Sequence, residues 1–330
     1  MVFPLWGLFV GIVLYISLYV SPKMSGDIGN LAFIPFGLDY DQYMNRKTIK
    51  DTLFTTINST NELKSIKTTV LTIGDSFSQQ INRGYQNYIS SEGINVINCK
   101  RSLYGSPIQY AYNILDKNLL DSSNVKVLVV ECVERGFYSE AKNFDKTKIE
   151  HEVPKGPQEA NEWSIQRARD FIFYQIKLNS PIYKAHLDKN YFSSEEPNIL
   201  YFYHEDIDLD NHIVGQQEND VRYMFEILNN KAKEKGIFLI LLIAVDKYDL
   251  YQRHIVDNDY PDKTINTDIQ RILGKSEHIL ISKDYLLPMI ENGEKDIFLF
   301  NDTHWSYKAA KVIGNEIAKR TKKIIFRMEE

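Results

Sequence analysis

From Lys67 onward, short and continuously apolar runs alternate with longer stretches in which apolar residues recur every three or four positions. The runs include "KTTVLTI" (67–73), "INVINCK" (94–100), "VKVLVVECVE" (125–134) and "IFLILLIAV" (237–245). Short apolar runs rich in β-branched residues mark strands buried on both faces, and the longer periodic stretches mark helices. The pattern predicts strands at 68–73, 94–99, 126–132, 237–245 and 278–282. Helices are predicted at 77–92, 107–118, 217–234, 263–273 and 306–321. Alternation of this kind predicts an α/β fold, a three-layer α/β/α sandwich around a mostly parallel, five-stranded sheet.

Three regions depart from the alternation. The stretch "VFPLWGLFVGIVLYISLYV" (2–20) carries no charge and is about long enough to cross a bilayer. It is long for a secretory segment and no small-x-small cleavage site follows, so residues 1–22 are expected as an uncleaved N-terminal transmembrane helix. Residues 23–66, including "SGDIGNLAFIPFGLDYDQ", are rich in turn formers and read as a tether that packs partly on the domain. Within the remaining domain, 67–330, an insertion at about 137–219 holds a helix-like piece, "EANEWSIQRARDFIFYQIKL", and a strand and turn, "NILYFYHEDIDLDN". It follows the third predicted strand, and loops at the carboxyl ends of parallel strands usually bind ligands. A lid or substrate platform is expected there.

Composition narrows the partners. A net charge of -5 and the absence of any basic run leave no field to hold nucleic acid. The 21 tyrosines and 17 phenylalanines suit sugar-stacking surfaces and core packing alike. Cys99 and Cys132 fall on predicted strands, and a sheet order that sets the strand at 68–73 between them is expected. Their Cα atoms are then too far apart to bridge, so two buried free thiols are expected.

Candidate chemistry lies at two places. "GDSFS" (74–78) puts Ser76 just past a strand, where a helix N-terminus can stabilise an oxyanion, although Gly-Asp-Ser is also ordinary turn composition. A serine nucleophile needs a base. Six of the seven histidines lie in charged or loop-like stretches or open a strand, whereas His304 stands in "FLFNDTHWS", two residues after Asp302 and just before a helix. In extended backbone, residues two apart share a side, so Asp302 can hold Nδ1 of the ring and leave Nε2 for Ser76. The alternative is a helix cap at Asp302 or Thr303 with His304 as a packed ring.

"GDSFS" near the start of the domain and "NDTHWS" near its end resemble the first and last blocks of the SGNH (GDSL-type) hydrolase superfamily. The Asp-Thr-His-Trp-Ser string is more narrowly similar to the alginate O-acetyltransferase family of polysaccharide acetylating proteins. The resemblance implies a triad of Ser76, His304 and Asp302 working through an acetyl-serine. "VVECVERG" resembles that family's Glu-Arg element, pointing to Glu134 and Arg135, and "AVDKYDLY" its Lys-x-x-x-Tyr element, pointing to Lys247 and Tyr251. A salt-bridged strand end and a solvated loop explain these two stretches equally well. The superfamily's oxyanion glycine is best matched by Gly105 in "RSLYGSP".

Two departures stand beside the resemblance. The Gly-x-Asn-Asp block is missing where "VERGFY" follows the third strand, leaving the oxyanion to the backbone of Ser76 and Gly105, with Arg135 as a further donor. Asp-x-His also follows the serine, whereas alginate acetyltransferases place it before; following is the ordinary superfamily order and that of the membrane-anchored D-alanylation protein of teichoic acids. A triad is defined by geometry, and either order can build it.

The resemblance implies an O-acyltransferase acting on a surface or secreted polysaccharide outside the cytoplasm, supplied by a membrane-bound acyltransferase partner, with the domain held to the membrane by its first helix. Lys23 after that helix opposes this orientation by the positive-inside rule, but export of the domain outweighs one lysine. An O-acetylesterase and a non-catalytic polysaccharide-binding or assembly subunit remain alternatives. No cofactor and no metal are expected, because a phosphoesterase built on Asp75, Asp302 and His304 would need an Asn-His or His-x-His cluster that is missing.

Overall fold

A computed structural model describes residues 2–15, 18–19, 25–32, 38–149, 180–208 and 212–330. Its centre is set by four apolar strands. In chain order the strands are β1 (Thr55–Ile57), β2 (Val70–Gly74), β3 (Val96–Cys99), β4 (Val127–Val133), β5 (Ile182–His186), β6 (Ile199–Tyr203), β7 (Phe238–Ala244) and β8 (Ile279–Ile281). β4 and β7, the longest, pair in parallel from Val127 opposite Phe238 to Val133 opposite Ala244. Every residue of β2 and β4 is buried, as expected for strands covered on both faces.

The described helices are α1 (Val2–Tyr15), α2 (Gly26–Ala32), α3 (Leu38–Asn45), α4 (Gln86–Ser91), α5 (Pro107–Asp116), α6 (Glu134–Lys142), α7 (Glu205–Asp208), α8 (Gln216–Glu234), α9 (Lys247–Tyr251), α10 (Ile265–Leu273), α11 (Lys283–Glu291) and α12 (Tyr307–Glu329). Alternate residues along each strand face opposite layers. Val70, Val127, Val129, Ile240 and Leu242 pack with α4 and α12. Leu71, Ile73, Leu128, Val130 and Leu241 pack with α5, α8 and α10. This is the expected α/β sandwich.

The main sheet has six strands rather than five, in the order β1-β3-β2-β4-β7-β8, all in parallel register. The sixth strand, β1, comes from the stretch read as a tether. Three residues give too little periodicity to be recognised, and β1 exists because its backbone continues the ladder of β3, with Ile57 buried beneath. The same stretch supplies α2 and α3. The chain runs outward in one direction from β2 to β3 and in the other from β4 to β7 and β8, so Ser76 leaves the sheet at the switch point where such folds bind ligands. Cys99 on β3 and Cys132 on β4 flank β2, buried and unbridged.

The helix expected at 77–92 is broken. Two 3-10 turns, Ser76–Gln79 and Ile81–Arg83, precede α4, and Ile81, which opens the second, has φ 47, a region that β-branched residues rarely enter. The helix α11 was not expected, and the last helix runs further than 321, to Glu329. In the insertion, β5 and β6 form an antiparallel pair, while the helix-like piece at 159–178 lies outside the described residues. The first helix is described over 14 residues, and among the described residues no helix is long and apolar enough to cross a membrane.

Candidate active site

Gly74 ends β2 because nothing larger fits. A Cβ there would stand 2.2 Å from Ser78 Oγ and 2.5 Å from Glu131 Oε2. Those two groups form the floor of the turn: Glu131 Oε2 accepts from the Ser78 hydroxyl at 2.9 Å and from its backbone N–H at 3.2 Å. Burial pushes the Glu131 carboxyl well above its usual range, the Asp75 charge adds to this, and the Ser78 hydrogen bonds oppose it. Asp75 accepts from the Val133 N–H at 3.2 Å and so ties the turn to β4. Ser76 opens the turn, exposed, while Phe77 is fully buried.

Phe77 joins the two sequence motifs. Its ring lies edge-on to His304 at 4.9 Å and to Trp305 at 4.7 Å between centroids. His304 Nδ1 stands 2.6 Å from Asp302 Oδ1, which also accepts the His304 backbone N–H at 3.0 Å. Nδ1 is therefore the protonated nitrogen, and Nε2, buried and without a hydrogen-bond partner, is the free base. Burial pushes the Asp302 carboxyl up, but the His304 charge and hydrogen bond, aided by Arg83, bring it well below the usual carboxylate range. Arg83 Nη1 lies 3.8 Å from Asp302 Oδ2. The Ser76 hydroxyl makes no hydrogen bond to His304; such bonds often tighten only once substrate is bound.

The remaining expected residues divide into one exposed beside the turn and four that are buried or nearly so. Gly105 is exposed, between Tyr104 and the Ser106 cap of α5. Tyr104 fixes this loop to the turn that carries Ser76, its hydroxyl accepting from Gly74 N–H at 3.0 Å and donating to Gly74 carbonyl at 2.8 Å. Glu134, Lys247 and Tyr251 are buried, and Arg135 nearly so. The oxyanion role expected of Arg135 competes with its ion pairs, Nη1 being held by Asp246 at 2.6 Å and Asp206 at 3.0 Å. Lys263 completes that network through Asp246 at 2.6 Å, and Glu134 accepts the Asp246 N–H at 2.9 Å. Lys247 Nζ donates to the carbonyls of Leu299, Phe300 and Asp302. Tyr251 packs against Phe192 and Phe298. Lys247 and Tyr251 thus contact the loop that carries Asp302 and His304, while Glu134 and Arg135 belong to the network of Asp206, Asp246 and Lys263.

Three residues near the centre were not legible in the sequence. Arg83 and Arg101 look like ordinary surface arginines, yet Arg101 Nη2 stands 3.4 Å from Asp75. Asp27, from the supposed tether, brings Oδ2 to 3.4 Å from His304 Nδ1. The donor atoms of Asp27, Asp302 and His304 lie within 4.8 Å of one another, close enough to share a cation. However, Asp302 already takes the Nδ1 proton and Asp27 takes both polar protons of Thr303, so the group is a hydrogen-bonded set and not a metal shell. Beside the turn opens a cleft of about 600 Å³ whose walls include Phe54, Asn58, Gln79, Lys100 and Arg101. That volume suits a small-molecule or sugar unit.

Residues 200–327 match the family described as the SGNH hydrolase-like domain of acetyltransferase AlgX. The match supports the resemblance to SGNH and alginate O-acetyltransferase-like proteins over the segment that carries Asp302, His304, Lys247 and Tyr251, and the parallel α/β sheet fits such a domain. No curated protein and no solved structure matches the chain.

Proposed function

We propose that this chain is a membrane-anchored, extracytoplasmic serine O-acyltransferase that places acyl groups, acetyl foremost, on hydroxyls of a surface or secreted polysaccharide. The observation that carries the reading is the Asp302–His304 pair at 2.6 Å, with Nε2 unpartnered, inside a segment similar to an acetyltransferase domain. Ser76 Oγ attacks the acyl carbonyl and its proton passes to His304 Nε2, which returns it to the departing group. An acceptor hydroxyl then attacks the acyl-serine, giving its proton to Nε2 and ultimately to Ser76 Oγ, so no proton is gained or lost. The oxyanion falls to the backbone N–H of Ser76 and the loop at Gly105.

The cleft flanking the turn is suited to the acceptor, since Asn58, Gln79 and Lys100 offer amide and ammonium groups to sugar hydroxyls and Phe54 an apolar face. The apolar stretch at 2–20 is the anchor in this reading. A membrane-bound acyltransferase partner delivers the acyl group on the outer side. Exposure of Ser76 also favours a second reading, an O-acetylesterase that passes the acyl group to water.

The test uses the full chain in detergent, incubated with p-nitrophenyl acetate and followed by intact-mass spectrometry beside Ser76→Ala and His304→Ala. An acetyl adduct on Ser76 that decays faster with oligosaccharide, with acetylated sugar appearing, supports transfer. Decay to free acetate alone assigns the esterase. Absence of an adduct in the wild-type protein removes the acyl-serine mechanism.

A further inference from the structure

We infer that Asp27 is a positioning residue for His304: it shares the Nδ1 side of the imidazole with Asp302, so the segment directly after the apolar N-terminal stretch completes the site. For its catalytic consequence the inference rests on the acyl-serine reading. Asp27 Oδ1 accepts the Thr303 N–H at 2.6 Å, Oδ2 takes the Thr303 hydroxyl, and Oδ2 lies 3.4 Å from Nδ1. The carboxylate thus spans the residue between Asp302 and His304, fixing both.

The approach of this segment is built in. Gly26 adopts φ +69, and a Cβ on it would stand 2.0 Å from the Asn301 carbonyl oxygen, so only glycine lets the backbone come this close. Asn301 Nδ2 donates to Ser25 Oγ at 2.7 Å and to Asp41 at 2.8 Å. Ile28 is wholly buried, and the Tyr40 hydroxyl accepts the Phe300 N–H at 3.0 Å while donating to Asp296 at 3.3 Å. Residues 25–32 and 38–44 therefore clamp the loop 296–304 on which both Asp302 and His304 stand.

The charge on Asp27 is adjustable. Burial and then the Asp302 charge raise its carboxyl to about 6, opposed by the His304 charge. The charged groups around it are Asp302 and His304, Arg83 beyond Asp302, and the buried Lys247, whose own ionisation feels Asp27. Below about pH 6 the imidazole faces one carboxylate; above it, two. The imidazolium formed as Ser76 is acylated is then better stabilised, and acylation gains above pH 6 more than ionisation of the base alone provides.

The experiment compares wild type, Asp27→Asn and Asp27→Glu as full chains in detergent, following acetyl-Ser76 formation from pH 5 to 8. Asp27→Asn is expected to match wild type below pH 5 and to fall behind by about tenfold above pH 7, the effect of one opposite charge at this range. Asp27→Glu, which keeps the charge, is expected to keep most of the gain and serves if the asparagine variant fails to fold. A wild-type to Asp27→Asn ratio that does not vary with pH, or a gain lost in a folded Asp27→Glu, overturns the inference. A second readout needs no acylation. In ¹⁵N-histidine-labelled chain at pH 8, the low-field Nδ1–H resonance of His304 is expected to move upfield in Asp27→Asn. If wild type forms no adduct, the acyl-serine reading fails by itself and this resonance decides Asp27; an unmoved resonance there overturns it.

Discussion

The buried ammonium of Lys247 donates to the carbonyl oxygen of Asp302 at 3.1 Å, and to those of Leu299 at 2.7 Å and Phe300 at 2.9 Å. One side chain at the end of β7 thus fixes the turn that presents the Asp302 carboxylate. Burial lowers Lys247 to about 7, with the carboxylates of Asp27, Asp302 and Asp206 opposing the shift. In Lys247→Met three buried carbonyls lose their donor, at about 1–3 kcal/mol each where no other donor replaces it. Both the melting temperature and acetyl-Ser76 formation are expected to fall, and a melting temperature equal to wild type would refute the buttress role. The pH dependence has a definite sign. The unfolded lysine holds its proton up to about 10.5 and the folded one only to about 7, so this group makes wild type gain stability between those values, and the variant lacks that gain.

Asp302→Asn leaves the loop's shape but lets the ring take the other tautomer. Acylation of Ser76 is expected to fall by up to about 10⁴-fold, as in serine triads generally. Because Asp302 is held well below the usual range, wild type should show no loss of activity from its protonation down to pH 5. A stopped-flow pH profile of p-nitrophenol release checks both statements, and a variant within tenfold of wild type would remove Asp302 from the mechanism.

Glu131→Gln tests the floor of the turn. The folded carboxyl keeps its proton above the unfolded value, so wild-type stability falls as pH rises from about 4.5 toward the folded value. Glutamine preserves the acceptor for Ser78 and has nothing to titrate. Thermal melts from pH 4 to 8 are expected to give a flatter profile and a higher melting temperature at pH 7 for the variant. The opposite order at pH 7 would show that the folded carboxyl is charged.

Arg135→Ala leaves Asp206 and Asp246 buried with Lys263 as their remaining cation. Breaking such a pair costs about 3–5 kcal/mol. The expected result is a large loss in denaturant midpoint, with the rate of acylation per folded molecule nearly kept. Loss of acylation without loss of stability would instead return Arg135 to the oxyanion.

Much of this molecule is local in origin. The apolar runs at 68–73, 94–99, 126–132 and 237–245 became β2, β3, β4 and β7 with small shifts at their ends, because strands buried on both faces need an unbroken apolar run. The spacing of Asp302 and His304 was equally readable, although the pair forms in a bend and not in extended backbone, with Asp302 Oδ1 accepting the His304 backbone N–H as well as facing Nδ1. The path after Ser76 was not. "SFSQQINRGYQNYIS" has the composition of one helix, but the packing of Phe77 on His304 and Trp305 and the left-handed turn at Ile81 divide it.

The sequence by itself determined the layers, the parallel order, the strand end that carries Ser76 and the Asp-x-His spacing, all of which follow from periodicities of two and 3.6 residues and from near neighbours. Tertiary structure decided which side chains buttress and which face the site. Arg135, Lys247 and Tyr251 stand in polar-looking stretches, and only the fold shows Lys247 and Tyr251 buried against the loop 296–304 and Arg135 held by Asp206 and Asp246. It also decided the place of Asp27, which meets Thr303 across 276 positions of chain. No local pattern marks that contact, because it forms only when a glycine lets one backbone close onto another, and that fit exists only between folded surfaces.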